Sequence, residues 1–314
     1  MLNRRHIRVK VLQTIYAMHQ SGSDDLQKTE KFLIASMENL QDLYLLMIST
    51  LIEIREKEQT FLDISKKKHL ATPEEKDPNT KFVDNIVLKF LTENKSLANA
   101  VEKRRINDWK QNDDYILLLL ESTKNSVVYK TYMSNRINTF EEDRRFVMDL
   151  FSEVIAPNDK LYEFLEDHRL TWVDDIPLVN TIILKQLKAI DHTKESSFSV
   201  PALFRDEEDE EFAIQLFRKT ALREYELAKE FIDRTPNWDP DRISEVDTIM
   251  LKMAICEFLH FPSIPIKVTI NEYLEVAKEY ATPKSSLFIN GILDNLVKDF
   301  QRTNKLTKSG RGLL

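Results

Sequence analysis

The chain has four glycines and one cysteine in 314 residues. Glycine usually makes up about 7% of a protein and supplies the tight turns between strands, so its scarcity argues against a sheet-rich fold and for an all-α one. The glycine-rich phosphate loops are excluded as well, since neither G-x-x-x-x-G-K-S/T nor G-x-G-x-x-G occurs. Cys256 has no partner for a disulfide or a thiolate cage, and its apolar run, MLKMAICEFL, marks it as a small buried hydrophobe. The six histidines, His6, His19, His69, His168, His192 and His260, include no i, i+4 pair, which argues against a helical zinc site. Ser285 and Ser286 occupy a turn where capping accounts for them, and the abundant carboxylates single out no acid–base pair. No catalytic residue, cofactor or metal is therefore expected. With 31% of residues charged, the chain is too polar for a membrane protein. Its start, MLNRRHIRVKVLQTIYAMHQ, lacks the apolar core and cleavage site of a secretory signal, so cytoplasmic residence is the expectation.

What is present is helical periodicity and uneven charge. Ile7, Val11 and Ile15, widened by Leu12, form one stripe of a first helix that Ser21, Gly22 and Ser23 end. Asp24 or Asp25 caps a second, long helix carrying Leu40, Leu43, Leu46 or Met47, and Leu51 to about residue 64. Net charge is −7, yet residues 1–20 hold Arg4, Arg5, Arg8 and Lys10 with no acid. The end of the chain carries Lys298, Arg302, Lys305, Lys308 and Arg311 against Asp299, and the acid is densest in DEEDEE at 206–211. Two basic ends brought together would make an anion-binding patch on an acidic body.

Residues 65–80, with two prolines and mixed charge, read as a surface linker, and Lys66, Lys67 and Lys68 in it as a solvated run. Beyond it the text repeats: Phe82 to Trp109, Phe146 to Trp172 and Phe212 to Trp238 span 27, 26 and 26 residues. Leu150, Phe151, Leu161 and Asp167 align with Leu216, Phe217, Leu227 and Asp233, and Thr181, Leu184 and Lys185 with Thr248, Leu251 and Lys252. Duplication of a helical unit and imitation between amphipathic helices of similar length both account for this. The organisation expected is N-terminal helices over 1–64, a linker over 65–80, an inserted helical region over 81–205 and a C-terminal helical domain over 206–314.

Pro262 and Pro265 stop the helix that contains Cys256. A helical hairpin follows. Its first arm should bury Ile270, Leu274, Ala277 and Ala281, and its second Ile289, Ile292, Leu293, Leu296 and Phe300. Gly291 lies inside the second arm, where glycine costs about 1 kcal/mol relative to alanine, so close approach of another backbone or a ligand is expected there.

The hairpin text PIKVTINEYLEVAKEYATPKSSLFINGILDNL resembles the signature of the NusB family, bacterial transcription antitermination and ribosomal RNA biogenesis factors. That family reads P-x-K-V-A-I-N-E-A-(V/I)-E-L-A-K, a turn, then S-x-x-F-V-N-G-(V/I)-L-D. Pro265, Lys267, Val268, Ile270, Asn271, Glu272, Glu275, Ala277, Lys278, Ser285, Phe288, Asn290, Gly291, Leu293 and Asp294 match it. Upstream, Trp238, Arg242, Ile243, Val246, Asp247, Leu251, Ala254, Glu257 and Leu259 match a second family segment, and Arg4, Arg5, Arg8, Gln13, Ile15 and Tyr16 match its opening. His6 stands where many members have a third arginine, and Lys284 where an acid is common. The resemblance covers roughly residues 2–20 and 210–297 and implies a NusB-like helical bundle enlarged by an inserted helical subdomain.

It further implies binding of the boxA element of ribosomal RNA leaders together with NusE, a small-subunit ribosomal protein, within the antitermination complex of RNA polymerase. Arg4, Arg5, Arg8 and Lys284 would then contact phosphates, with His6 weakening the grip because it is neutral much of the time at pH 7. Tyr16 and Phe288 would offer faces to unstacked bases and Asn290 a donor and an acceptor to a base edge. Asp247, expected as an exposed helix-start acid, and Glu257 would face the protein partner. A NusB-like domain of RNA-modification machinery and a helical scaffold without an RNA role are the alternatives.

Overall fold

The computed structural model describes residues 1–232 and 243–309. Trp238, Asp233, Arg242 and Arg311, used above, lie outside the described residues. Among those described there is no strand, and the chain is all-α. In order the helices are α1 (Arg4–Ser21), α2 (Leu26–Lys66), α3 (Pro73–Lys76), α4 (Ile86–Glu93), α5 (Lys95–Arg104), α6 (Asp108–Gln111), α7 (Asp113–Asn125) and α8 (Val127–Tyr132). They continue as α9 (Phe140–Leu150), α10 (Asp159–His168), α11 (Ile176–Ala189), α12 (Glu207–Leu222), α13 (Glu224–Ile232), α14 (Glu245–His260), α15 (Ile266–Tyr280) and α16 (Ser285–Arg302). No helix among the described residues is long and apolar enough to cross a membrane.

The chain divides into two compact units, one of residues 1–37 with 203–314 and one of residues 38–202. The first boundary falls inside α2, so that single helix contributes its opening turns to one unit and the rest to the other.

In the first unit the core is built around α14. Its residues Asp247 and Ile249–Phe258 are all buried, and α1, α12, α13, α15 and α16 pack on it. Cys256 is fully buried, and burial pushes its thiol pKa up to about 12, so it is an inert core residue. Helix α1 starts at a capping box: Asn3 Oδ1 accepts from the Arg5 and His6 amides at 2.9 and 3.0 Å, and the Asn3 amide donates back to His6 Nδ1. It ends at Gly22, whose φ of +61° is the left-handed geometry that glycine adopts at no steric cost. Ile7, Val11, Leu12 and Ile15 are buried as the stripe requires. Asp25 caps α2 through the Lys28 amide. Four acids in the first turn of α12 lie at the positive end of its dipole, which favours them there.

The hairpin differs in part from its expected packing. In α16, Ile289, Ile292, Leu293, Leu296 and Phe300 are buried as expected. In α15 the buried face is Thr269, Tyr273, Val276 and Ala277, while Ile270 and Leu274 are only half-buried. The rotation has a polar cause, since the Thr269 and Tyr273 hydroxyls turn inward to donate to the buried Glu257, a partner that apolar spacing does not register. Gly291 also departs from expectation: it is exposed, and a Cβ there would meet nothing within 4 Å. No close backbone approach explains it.

The second unit hangs on the distal part of α2. Trp109 Nε1 donates to the Leu46 carbonyl at 3.0 Å and Trp172 Nε1 to the Asn39 carbonyl at 2.8 Å, so the first two tryptophans of the repeated text pin their segments to that helix. The Tyr44 hydroxyl donates to Gln186 of α11. A buried polar network joins Asn85, Tyr132 and Asp143, with Tyr132 donating to Asp143 at 2.6 Å, and Lys81 bonds the Tyr132 carbonyl and Glu142. The α9, α10, α11 series here and the α12, α13, α14 series of the first unit follow the same helix order with similar lengths, α9 being extended by a π turn over Phe151–Ile155. Residues 67–80, the short α3 included, are mostly exposed; Lys66–Lys68 are exposed, and Lys68 pairs with Glu75 at 2.6 Å.

Candidate nucleic-acid interface

The acid-free face of α1 is set within the first unit by carboxylates from three other helices. Arg4 Nε donates to Asp209 Oδ1 of α12 at 2.9 Å, and its second nitrogen lies 3.6 Å from Glu208. Arg5 makes a two-pronged pair with Glu272 of α15, both bonds at 3.0 Å. Arg8 donates to both oxygens of Glu257 of α14, at 2.7 and 2.8 Å. The same carboxylate accepts from Tyr273 at 2.8 Å and Thr269 at 3.1 Å. Spaced at four, five and eight, the three arginines thus reach three separate helices from successive positions around α1.

These pairs differ in burial. Arg8 is 2% exposed and Glu257 fully buried. Burial alone would lower the Arg8 pKa, but the Glu257 charge and its hydrogen bonds outweigh it and hold the guanidinium above its ordinary value. Arg8 is therefore held within the fold by Glu257, with 2% of its side chain exposed. Arg4 and Arg5 are partly exposed, at 31% and 41% of the side chain. They border a groove of about 450 Å³ lined also by Asn3, Arg8, Ser263, Ile264, Pro265, Val268 and Glu272. Arg4 borders a second groove of about 400 Å³ with Glu207, Glu208, Glu211 and Phe212. The Arg4 and Arg8 guanidiniums each lie 5.2 Å from the Phe212 ring centroid. Burial, and then the charges of Arg5, the N-terminus and Lys10, lower the His6 pKa from its ordinary value.

The remaining residues singled out from the sequence are placed elsewhere in the first unit. Tyr16 is 40% exposed on α1, Lys284 is exposed at the start of α16, and Phe288 and Asn290 are half-buried on that helix. None of them lines the two grooves beside Arg4. Asn290 Nδ2 donates to Asp294 at 3.3 Å. Asp247 is 6% exposed, contrary to its expected exposure, because it turns inward to accept from Ser285 at 2.9 Å and so ties α14 to α16. Glu257 offers no surface to a partner. What sequence reasoning missed is the counter-charge: Glu272 was legible in the motif, and Glu208 and Asp209 in the acidic run, but nothing local ties them to α1.

The Arg8–Glu257 and Arg5–Glu272 pairs fasten α1 to α14 and α15. A model of the NusB family matches residues 182–298, from α11 to α16. The chain is 41% identical over 113 residues to the transcription antitermination protein NusB of Salinibacter ruber, covering 36% of this chain and 70% of that one. The chain belongs to the NusB family. It is 42% identical over 91 residues to the NusB protein of Clostridium kluyveri, which it covers to 58%, and 45% identical over 78 residues to that of Chloroherpeton thalassium, which it covers to 37%. A solved structure of Thermotoga maritima NusB matches 44% of this chain and 85% of its own at 28% identity, with a TM-score of 0.29, so the family assignment rests on sequence. Within the NusB match lie Glu257, Glu272, Lys284, Phe288 and Asn290; α1 and its arginines lie outside it.

Proposed function

We propose that this NusB-family chain is a non-enzymatic RNA-binding transcription antitermination factor. It binds boxA-type single-stranded RNA of ribosomal RNA leaders together with NusE, and acts within the antitermination complex of RNA polymerase. Arg4 and Arg5 contact phosphates at the groove they border, with Lys284 adding a further cation. Tyr16 and Phe288 present aromatic faces to bases, Asn290 reads a base edge, and His6 adjoins the arginines. Arg8 anchors α1 from within the core. Asp247 contributes to the partner surface indirectly, by fixing the α16 start, and Glu257 by fixing α1.

The observation that carries this reading is the pairing of NusB membership with two partly exposed arginines on an acid-free helix beside a groove. Phosphate contacts release counterions, so the association constant for single-stranded RNA falls with salt by about 0.7 log units per log unit for each phosphate neutralised. A titration of boxA RNA at several salt concentrations, with and without purified NusE, tests it. The expected result is affinity that drops steeply with salt and tightens with NusE. Affinity independent of salt would count against phosphate recognition.

A further inference from the structure

Every arginine on the exposed side of α1 already holds a carboxylate. Arg5 is clamped by both oxygens of Glu272, and Arg4 lies between Asp209 and Glu208. The partners are not alike. Asp209 is 2% exposed and also bonded by its amide to Asp206, so it belongs to the folded start of α12. Glu208 is 83% exposed and Glu272 is 21% exposed on the wall of the groove. A two-pronged carboxylate on a guanidinium uses the same pair of N–H donors that a phosphate would use.

We infer that Glu208 and Glu272 are affinity-setting residues: they occupy Arg4 and Arg5 as stand-ins for phosphate, and RNA binds by displacing them. This rests on the RNA-binding reading above. Ligand recognition is then an exchange of anions. A lone phosphate gains nothing that the carboxylate does not already provide. A strand whose successive phosphates engage Arg4 and Arg5 together gains the second contact without a second loss of translational freedom, so the exchange favours polyanionic strands over mononucleotides. The exchange also leaves a mark on salt dependence, because each carboxylate set free gathers cations while the RNA phosphate gives them up.

Equilibrium titrations of a fluorescent single-stranded boxA RNA test this with three variants: Glu272→Gln, Glu208→Gln, and, as a control for net charge alone, Glu166→Gln on the exposed face of α10. Glu208→Gln alters a highly exposed side chain, so it remains informative if Glu272→Gln perturbs folding. The expected result is a roughly two- to fivefold tighter affinity for each of Glu272→Gln and Glu208→Gln, in line with releasing a surface ion pair. The salt slope of Glu272→Gln should steepen by up to about 0.7, and that of Glu208→Gln by less because Asp209 still holds Arg4, while Glu166→Gln leaves slope and affinity close to the parent. Weaker or unchanged affinity with a parental slope in both variants would overturn the inference, because the carboxylates would then be orienting the arginines. Failure of every form, parent included, to bind the RNA would overturn the RNA-binding reading itself, and this inference with it.

Discussion

Glu257 is the residue on which the first unit's polar chemistry converges. One carboxylate accepts from Arg8, Thr269 and Tyr273 with no exposed surface of its own. Removing one partner of such a pair leaves an uncompensated charge in the core, so Glu257→Ala should cost about 3–5 kcal/mol, and Arg8→Ala a similar amount. Urea unfolding followed by circular dichroism measures both, and Arg8→Met with Glu257→Leu should lose less than either single change. A double variant as unstable as Glu257→Ala would argue against the buried charge as the cause. His6 makes a second prediction. Its folded pKa is depressed below the ordinary 6.5 by burial and by positive neighbours, so its contribution to stability is present above 6.5 and lost as pH falls below it. Stability should decline as pH drops from about 6.5 towards 5, and His6→Gln, which keeps a capping acceptor, should flatten that part of the profile. Equal slopes for parent and variant would contradict it.

Among the elements, the two glycines of the described residues behave oppositely. Gly291 sits in the interior of α16 with open space where a Cβ would go, so Gly291→Ala should raise stability by about 1 kcal/mol. Gly22 closes α1 at φ +61°, where Gly22→Ala should cost about 1–2 kcal/mol. Thermal unfolding of the two variants measures both, and shifts of the same sign would contradict the geometry. Much of the element pattern was legible beforehand. The stripes of α1 and α16, the length of α2, the Gly22 stop and the break at Pro262 all follow from local spacing and backbone chemistry. The face of α15 was not, because Thr269 and Tyr273 are drawn in by a carboxylate on another helix. Asp247 was misjudged for the same kind of reason: a helix-start acid is ordinarily exposed, and only the approach of Ser285 from α16 turns it inward.

For the molecule as a whole, residues 203–298 of the family match and the arginine-bearing helix occupy the same unit, though they lie at opposite ends of the text. The all-α class followed from glycine scarcity and periodicity, whereas the unit boundary at residue 37 did not follow from composition, since α2 runs without a break through it. The candidate site was half legible. Arg4 and Arg5 stood out as a charge cluster without acid, but their carboxylate partners lie 205 and 267 residues away in sequence, beyond any periodic signal. Arg4 and Arg5 are also the most direct test of what the unit is for. A titration of boxA-type single-stranded RNA at fixed low salt should show Arg4→Gln/Arg5→Gln losing affinity by at least about tenfold relative to the parent while keeping its helical circular dichroism; affinity equal to the parent in a fully helical double variant would contradict the account.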